Sequence, residues 1–283
     1  MNMMRNNPKP LLPVNPKGLD DIANALLDND SPPEDKGKNV PIKISNPEKY
    51  IILPTRTHGS YSYPDLIVDM HRLGYDAMVE KAAKELGVTI QNTIGEKDGN
   101  QYVGNINWET ALKLNQKLGN ITLNPRQFID LRELLEAGID RNKKVYDGKG
   151  RPITVTVLKQ VYNEIAEKRD PWRAEWLDAR FTKIGGALSI NYNHHLSGGN
   201  LTAGKSEILE AYLEENSWID VTSFNKQGLP TRKSSTQKLY YWPPIDGTVA
   251  RFYADSGWAG LSCGWDPSGT YGGLGVRACR AKK

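Results

Sequence analysis

The chain has 283 residues, 38% hydrophobic and 25% charged, with a formal net charge of +4, the proportions of an ordinary globular protein of one large domain or two small ones. Its Lys and Arg are scattered among Asp and Glu rather than gathered on one stretch, which argues against a nucleic-acid binder. No run reaches the ~18 apolar residues of a membrane-crossing helix, and two cysteines, Cys263 and Cys279, are too few for a disulfide framework or a cysteine-based zinc site.

Residues 1–46 are rich in Pro, Asn, Asp and Lys and read as a tail or linker, interrupted by one helix-like patch, Asp20 to Leu27. Pro8, Pro10, Pro13 and Pro16 leave no apolar run near the start, so no secretory signal is expected there. The expectation is a protein that stays in the cytoplasm or leaves it on a particle assembled there.

Residues 47–283 are expected to form one domain. Tyr50 to Leu53 reads as a buried strand. Tyr63 to Gly87 reads as mainly helical, best from Asp76 to Leu86, with Met78, Val79, Ala82, Ala83 and Leu86 at helix spacing and Gly87 as the stop. Glu96 to Asn100 is a polar turn. Asn107 caps a helix over Trp108 to Leu118, ended by Gly119. Asn124 caps another, opened by Pro125 and striped with Phe128, Leu131, Leu134 and Leu135. Tyr146 to Gly150 is a turn, and Thr154 to Glu167 runs from a β-branched start into a helix. Trp172 and Trp176, four apart, form a core-facing pair. Phe181 to Tyr192 alternates like a strand or hairpin, and Ser206 to Glu215 reads as a short helix. From Trp218 onward Gly, Pro, Ser and aromatics dominate, which is β-and-loop composition.

Two alternations stand out near the end. Ala259, Leu261 and Cys263 share one face, opposite Trp258, Gly260, Ser262 and Gly264; later Leu274, Val276 and Ala278 share a face. Period two predicts strands with one buried side, the first turning Trp258 and Ser262 toward solvent or a partner. Tyr253 to Gly272 holds five Gly, three Ser, two Tyr, two Trp and two Asp, and no Lys, Glu, Gln, Met or Arg. Tyr, Trp, Ser and Gly are the residues of antibody paratopes: the aromatics give contact area at small entropic cost, and the small polar residues adapt their hydrogen bonds. A tightly folded glycine-rich β-loop region fits the same composition.

The run VARFYADSGWAGLSCGWDPSGTYGGLGVR, with Gln227-Gly228-Leu229-Pro230-Thr231 and Leu239-Tyr240-Tyr241-Trp242 upstream, resembles the variable proteins of diversity-generating retroelements, most like the archaeal and archaeal-virus members. The resemblance implies an α+β, C-type-lectin-like fold of the formylglycine-generating-enzyme-like branch. Short antiparallel strands, flanking helices and a long irregular carboxy-terminal region are then expected. Asn107 to Phe128 looks like the helical part of the related sulfatase-modifying factors. The resemblance also implies adenine-directed mutagenesis over 249–280, whose reachable residues match the restricted alphabet; Trp258 and Trp265 stand outside it and need another starting codon. On this pattern the varied, ligand-binding positions are Tyr253, Asp255, Gly257, Trp258, Gly260, Ser262, Gly264, Trp265, Gly269, Tyr271 and Gly272. The fixed scaffold is Ala250, Phe252, Ala254, Ala259, Leu261, Pro267, Leu274, Gly275, Val276 and Arg277. The expected function is non-enzymatic binding of a macromolecular ligand, a protein on a host or partner cell, by a module displayed on a virion or cell surface. No cofactor is implied, and the oligomeric state stays open.

Other chemistries leave weaker traces. Gly199 to Ser206 fits the phosphate-loop pattern G-x-x-x-x-G-K-[ST], but the polar run Asn193 to Gly198 precedes it where a buried strand is needed. His194 and His195 are adjacent, so in a strand they point apart, and with His58 and His71 they read as loop histidines. The calcium-ligating triplets of sugar-binding lectins are absent. Cys263 and Cys279 keep one alternative open, a cysteine-dependent oxidoreductase of the sulfatase-modifying type. A cysteine pair exposed in a cleft favours that enzyme; buried cysteines favour the binder.

Overall fold

A computed structural model describes residues 46–94 and 99–282. The tail (save Asn46), its helix-like patch and most of the turn expected at Glu96 to Asn100 lie outside the described residues. After a short 3-10 turn come β1 (Tyr50–Leu53), β2 (Arg56–His58), β3 (Tyr61–Tyr63) and β4 (Leu66–Asp69). There follow α1 (Ala77–Leu86), β5 (Gln91–Ile94), β6 (Gln101–Gly104), α2 (Trp108–Lys117), β7 (Ile121–Thr122), α3 (Pro125–Asp140) and α4 (Val155–Ala166). The remainder is strand and loop: β8 (Arg173–Ile184), β9 (Ala187–Tyr192), β10 (His195–Ser197), β11 (Asn200–Thr202), β12 (Lys205–Ile208) and β13 (Ser217–Ile219). The last strands are β14 (Leu239–Trp242), β15 (Val249–Ala254), β16 (Ala259–Trp265), β17 (Leu274–Val276) and β18 (Ala278–Ala281). The class is mixed α+β, with sheet predominating.

The helices begin where their caps are. Asp76 accepts from the amides of Met78 and Val79 at the head of α1, and Gly87 ends it at φ 67°. Asn107 accepts from the Thr110 amide at α2. At α3 a full capping box forms: Asn124 accepts from Gln127 N, and the Gln127 side chain accepts from Asn124 N. Each such cap is worth ~1 kcal/mol. Gly228 is the loop's point of closest approach to this helix start. It sits at φ +84°, and a Cβ there would run into the backbone of Pro125 and Arg126.

Three expectations fail, each because pairing in three dimensions outweighs a local pattern. The stretch after Tyr63 is not helical until Ala77, because Leu66-Ile67-Val68-Asp69 pairs with β1. Ser206 to Glu215 is not a helix: Lys205 to Ile208 pairs antiparallel with β9, Lys205 opposite Tyr192. Trp172 and Trp176 are not a helical core pair. Trp176 lies buried within β8, whereas Trp172 precedes the strand and is only half-buried.

The main sheet runs β12-β9-β8-β15-β16-β14-β13, with β17 beside β8. A second sheet, β1-β4-β18-β7, joins the early and late parts of the domain. Period two in the central strands separates two faces. Ala250, Phe252 and Ala254 of β15, with Ala259, Leu261 and Cys263 of β16, pack against Phe128, Leu131 and Leu135 of α3 and Leu158 and Val161 of α4. On the other face Ala174 and Trp176 of β8 and Leu274 and Val276 of β17 pack with Trp108, Ala111 and Leu112 of α2. Arg277, fully enclosed, is balanced by a two-pronged contact to Glu175: Nε to Oε2 at 2.9 Å and Nη2 to Oε1 at 2.6 Å.

Candidate functional site

The second face of the main sheet is not covered by helix along its whole length. Beyond the part covered by α2, β15, β16 and β14 carry two cross-strand rows. One is Arg251, Ser262 and Trp242; the other is Tyr253, Gly260 and Tyr240. The glycine in the second row has a steric cause. A Cβ at Gly260 would strike the Tyr240 carbonyl oxygen, so β14 and β16 can run side by side here only without a side chain at that point.

Around these rows the aromatics form a belt of two arms. Trp218 of β13 meets Tyr240 at 5.1 Å between ring centroids, and Tyr240 meets Trp242 at 4.5 Å. Trp258, in the turn between β15 and β16, lies 5.3 Å from Tyr240 and 5.9 Å from Trp218. Trp242 continues the belt to Tyr253 at 5.1 Å. On the far side Tyr271 bridges Trp172 at 5.8 Å and Trp265 at 5.9 Å. Such edge-and-tilted contacts are the favoured geometries for aromatic pairs. Trp258 remains 42% exposed and Tyr271 50% exposed, large apolar area turned toward the outside.

A cleft of about 480 Å³ opens between the two arms of the belt, walled by Trp172, Trp242, Trp265 and Tyr253, with Ser262 and Arg251 also lining it. Arg251 is 5% exposed. Its guanidinium lies 3.3 Å from the centre of the Trp265 ring and 5.1 Å from that of Trp172. Among the described residues its Nε and Nη1 have no hydrogen-bond partner, and the Tyr253 hydroxyl and the Trp265 indole N–H beside it are also buried and unpartnered. Burial holds the Arg251 pKa down, to about 10, so it stays charged at neutral pH; the groups that act on that charge are the phenols of Tyr253 and Tyr271, not a carboxylate. Asp255 is at the cleft edge, but its Oδ1 is engaged by the amides of Gly257 at 2.7 Å and Trp258 at 2.8 Å.

The eleven residues singled out in the sequence are therefore not equivalent. Gly257, Trp258, Tyr271 and Gly272 are exposed; Asp255, Gly264, Trp265 and Gly269 are half-buried. Tyr253, Gly260 and Ser262 are buried, contrary to the expected outward exposure of their strand face. Alternation identifies the side of the sheet correctly, but not what covers it: here the side chains of β14 lie over that side. A Cβ at Gly272 meets nothing within 4 Å and one at Gly257 only Asp255, whereas one at Gly269 would press on the Trp265 indole nitrogen at 2.8 Å. Of the expected scaffold residues, Ala250, Phe252, Ala254, Ala259, Leu261, Leu274, Gly275, Val276 and Arg277 are buried and Pro267 is half-buried. Sequence reasoning missed Arg251 as a site residue. Its signal was a lone cation within Val249 to Ala254, an otherwise uncharged strand.

The remaining motifs resolve otherwise. Gly199 to Ser206 runs from the β10–β11 turn through β11 to the start of β12, with no helix after Lys205, so the phosphate-loop geometry does not form. His58 contacts Asp130 at 2.8 Å and His71 contacts Glu164 at 2.9 Å. His194 is not a solvated loop histidine: it is buried, its ring on Asp178 and edge-on to Trp108. Among the described residues no group of three or more His, Cys, Asp or Glu is placed to hold a metal ion. Cys263 and Cys279 are free and buried, and burial pushes both thiols well above their ordinary pKa. No helix among the described residues is long and apolar enough to cross a membrane. Comparison with protein-family models, with curated proteins and with solved structures finds no match to this chain.

Proposed function

We propose that this is a non-enzymatic binding protein of C-type-lectin-like architecture, whose ligand-contacting surface is the aromatic belt and cleft around Tyr253 to Gly272 and is diversified by a retroelement. The observation that carries the reading is the unpartnered belt itself. Trp258 and Tyr271 hold exposed rings above a scaffold that is buried except at half-buried Pro267, as the anchors of protein interfaces do. Rigid scaffold and replaceable rim are what a surface of changing specificity needs. The ligand class is a macromolecule, a protein on a host or partner cell, and the setting we favour is the surface of a virion. The oxidoreductase alternative loses its main support, since a reactive cysteine is accessible and has a lowered pKa, and both thiols here are the reverse.

A display library randomised at Gly257, Trp258, Trp265, Tyr271 and Gly272 tests the division between rim and scaffold. Most clones are expected to fold, and clones binding unrelated proteins are expected to emerge. General loss of folding would contradict the reading.

A further inference from the structure

Among the buried arginines of this fold, Arg277 and Arg251 are treated oppositely. Arg277 faces Glu175 at 2.6 and 2.9 Å and also donates to the Asp69 carbonyl oxygen at 2.9 Å. Arg251 has aromatic rings against its faces and, among the described residues, no acid paired with it. A buried charge without a counter-charge is costly, and native folds seldom leave one. Stacking on Trp265 recovers part of that cost but provides no acceptor for the N–H groups. Beside it two more donors, the Tyr253 hydroxyl and the Trp265 indole N–H, are equally without acceptors. All three side chains line one cleft. Donors and positive charge are in excess there, and the missing partner is an anion with several acceptor atoms.

The surroundings narrow its class. Among the described residues Arg251 is the single cation of the cleft wall, and Asp255 stands at the edge, so one negative charge is matched and a second is repelled. The walls are indole and phenol rings, which favour an apolar body attached to the charge. We propose that the cleft takes a monoanionic carboxylate carried on an aromatic or apolar group of a protein ligand, with Arg251 as a constant anchor beneath a changeable rim. This rests on the reading of the belt as a ligand surface. It adds a division of labour: Arg251, inside 249–280 but not among its varied positions, supplies a contact common to all variants, and Trp258, Tyr271 and their neighbours supply selectivity.

Four probes separate the possibilities: N-acetyl-phenylalanine, with a free terminal carboxylate; N-acetyl-aspartyl-phenylalaninamide, with a side-chain carboxylate; N-acetyl-phenylalaninamide, with neither; and phenyl phosphate. Binding is read from the NMR signals of the Arg251 Nε–H and the Trp265 indole N–H in the full chain. One of the two carboxylates should shift both signals and bind at least about tenfold tighter than the neutral amide, the range of a charge-assisted hydrogen bond; which one does so identifies the source. Arg251→Met should abolish that preference. Arg251→Lys, which keeps the charge, covers the case in which the methionine variant does not fold, and should retain part of the preference. Equal binding of the amide, tighter binding of phenyl phosphate, or no shift from either carboxylate would overturn the proposal. Carboxylate binding with an invariant rim in nature would instead leave the anchor standing and remove diversification.

Discussion

The guanidinium carbon of Arg251 lies 3.3 Å from the centroid of the Trp265 ring, directly stacked, with Nε and Nη1 left without partners among the described residues. The side chain is thus held in place by a ring rather than by an acid. Stability and recognition then pull in opposite directions at this residue.

Replacing Arg251 by Met is expected to leave the unliganded protein as stable as the wild type or more so, because an apolar side chain removes an uncompensated buried charge. Replacing Arg277 by Met should cost about 3–5 kcal/mol, because it strands Glu175 in the interior. Urea denaturation of the two variants checks the contrast. A large loss at Arg251 would mean that its partner is already within the fold.

A double-mutant cycle on Arg251→Met and Trp265→Leu isolates the stacked pair. The expected coupling is about 0.5–2 kcal/mol in favour of the native pair. Coupling indistinguishable from zero would leave the stacking without energetic weight.

The glycines of the segment should divide by geometry. Gly260→Ala is expected to lose about 1–3 kcal/mol, since the new methyl group meets the Tyr240 backbone rather than a movable side chain. Gly272→Ser, in open space, should stay within about 0.5 kcal/mol of wild type. Thermal or urea melts of the two variants decide this.

Acid should destabilise the fold through Glu164. Burial raises its carboxyl, but the His71 hydrogen bond and the charges of Arg277, His71 and Arg72 outweigh it and bring the pKa to about 2. A depressed carboxyl stabilises the fold above its unfolded pKa of about 4.3, and that stability is lost as pH falls toward 2. His71 is shifted the other way: the Glu164 hydrogen bond raises it against the effect of burial. Its contribution is full below about pH 6.5 and is lost as pH rises through the raised folded value. Melting temperature should therefore drop on the acid side between about pH 4.3 and 2, and Glu164→Gln should flatten that limb. An unchanged acid limb in the variant would disprove this.

Iodoacetamide in native buffer should label neither Cys263 nor Cys279, and in urea it should label both, as mass spectrometry would show. Rapid native labelling of Cys279 would bring back the cysteine-dependent enzyme.

Local rules made much of this fold legible. Asn107, Asn124 and Gly87 marked helix ends because a cap is decided by the residue and its immediate neighbours. Ser206 to Glu215 misled as a helix because its first residues pair with β9, which nothing in their own composition announces. The same limit applied at the site. Period two in β16 put Gly260 and Ser262 on one side of the sheet, yet burial of that side depends on Tyr240 and Trp242 of β14, some twenty residues earlier. Arg251 escaped notice for a related reason: a cation in a strand is ordinary until it is known to lack an acid.

The measurement that bears most directly on the binding account is deep sequencing of this gene across its natural population. Variation is expected to concentrate at Gly257, Trp258, Trp265, Tyr271 and Gly272, with Arg251, Gly260 and Cys263 constant. A uniform segment from Tyr253 to Gly272, with substitutions spread elsewhere in the chain, would contradict it.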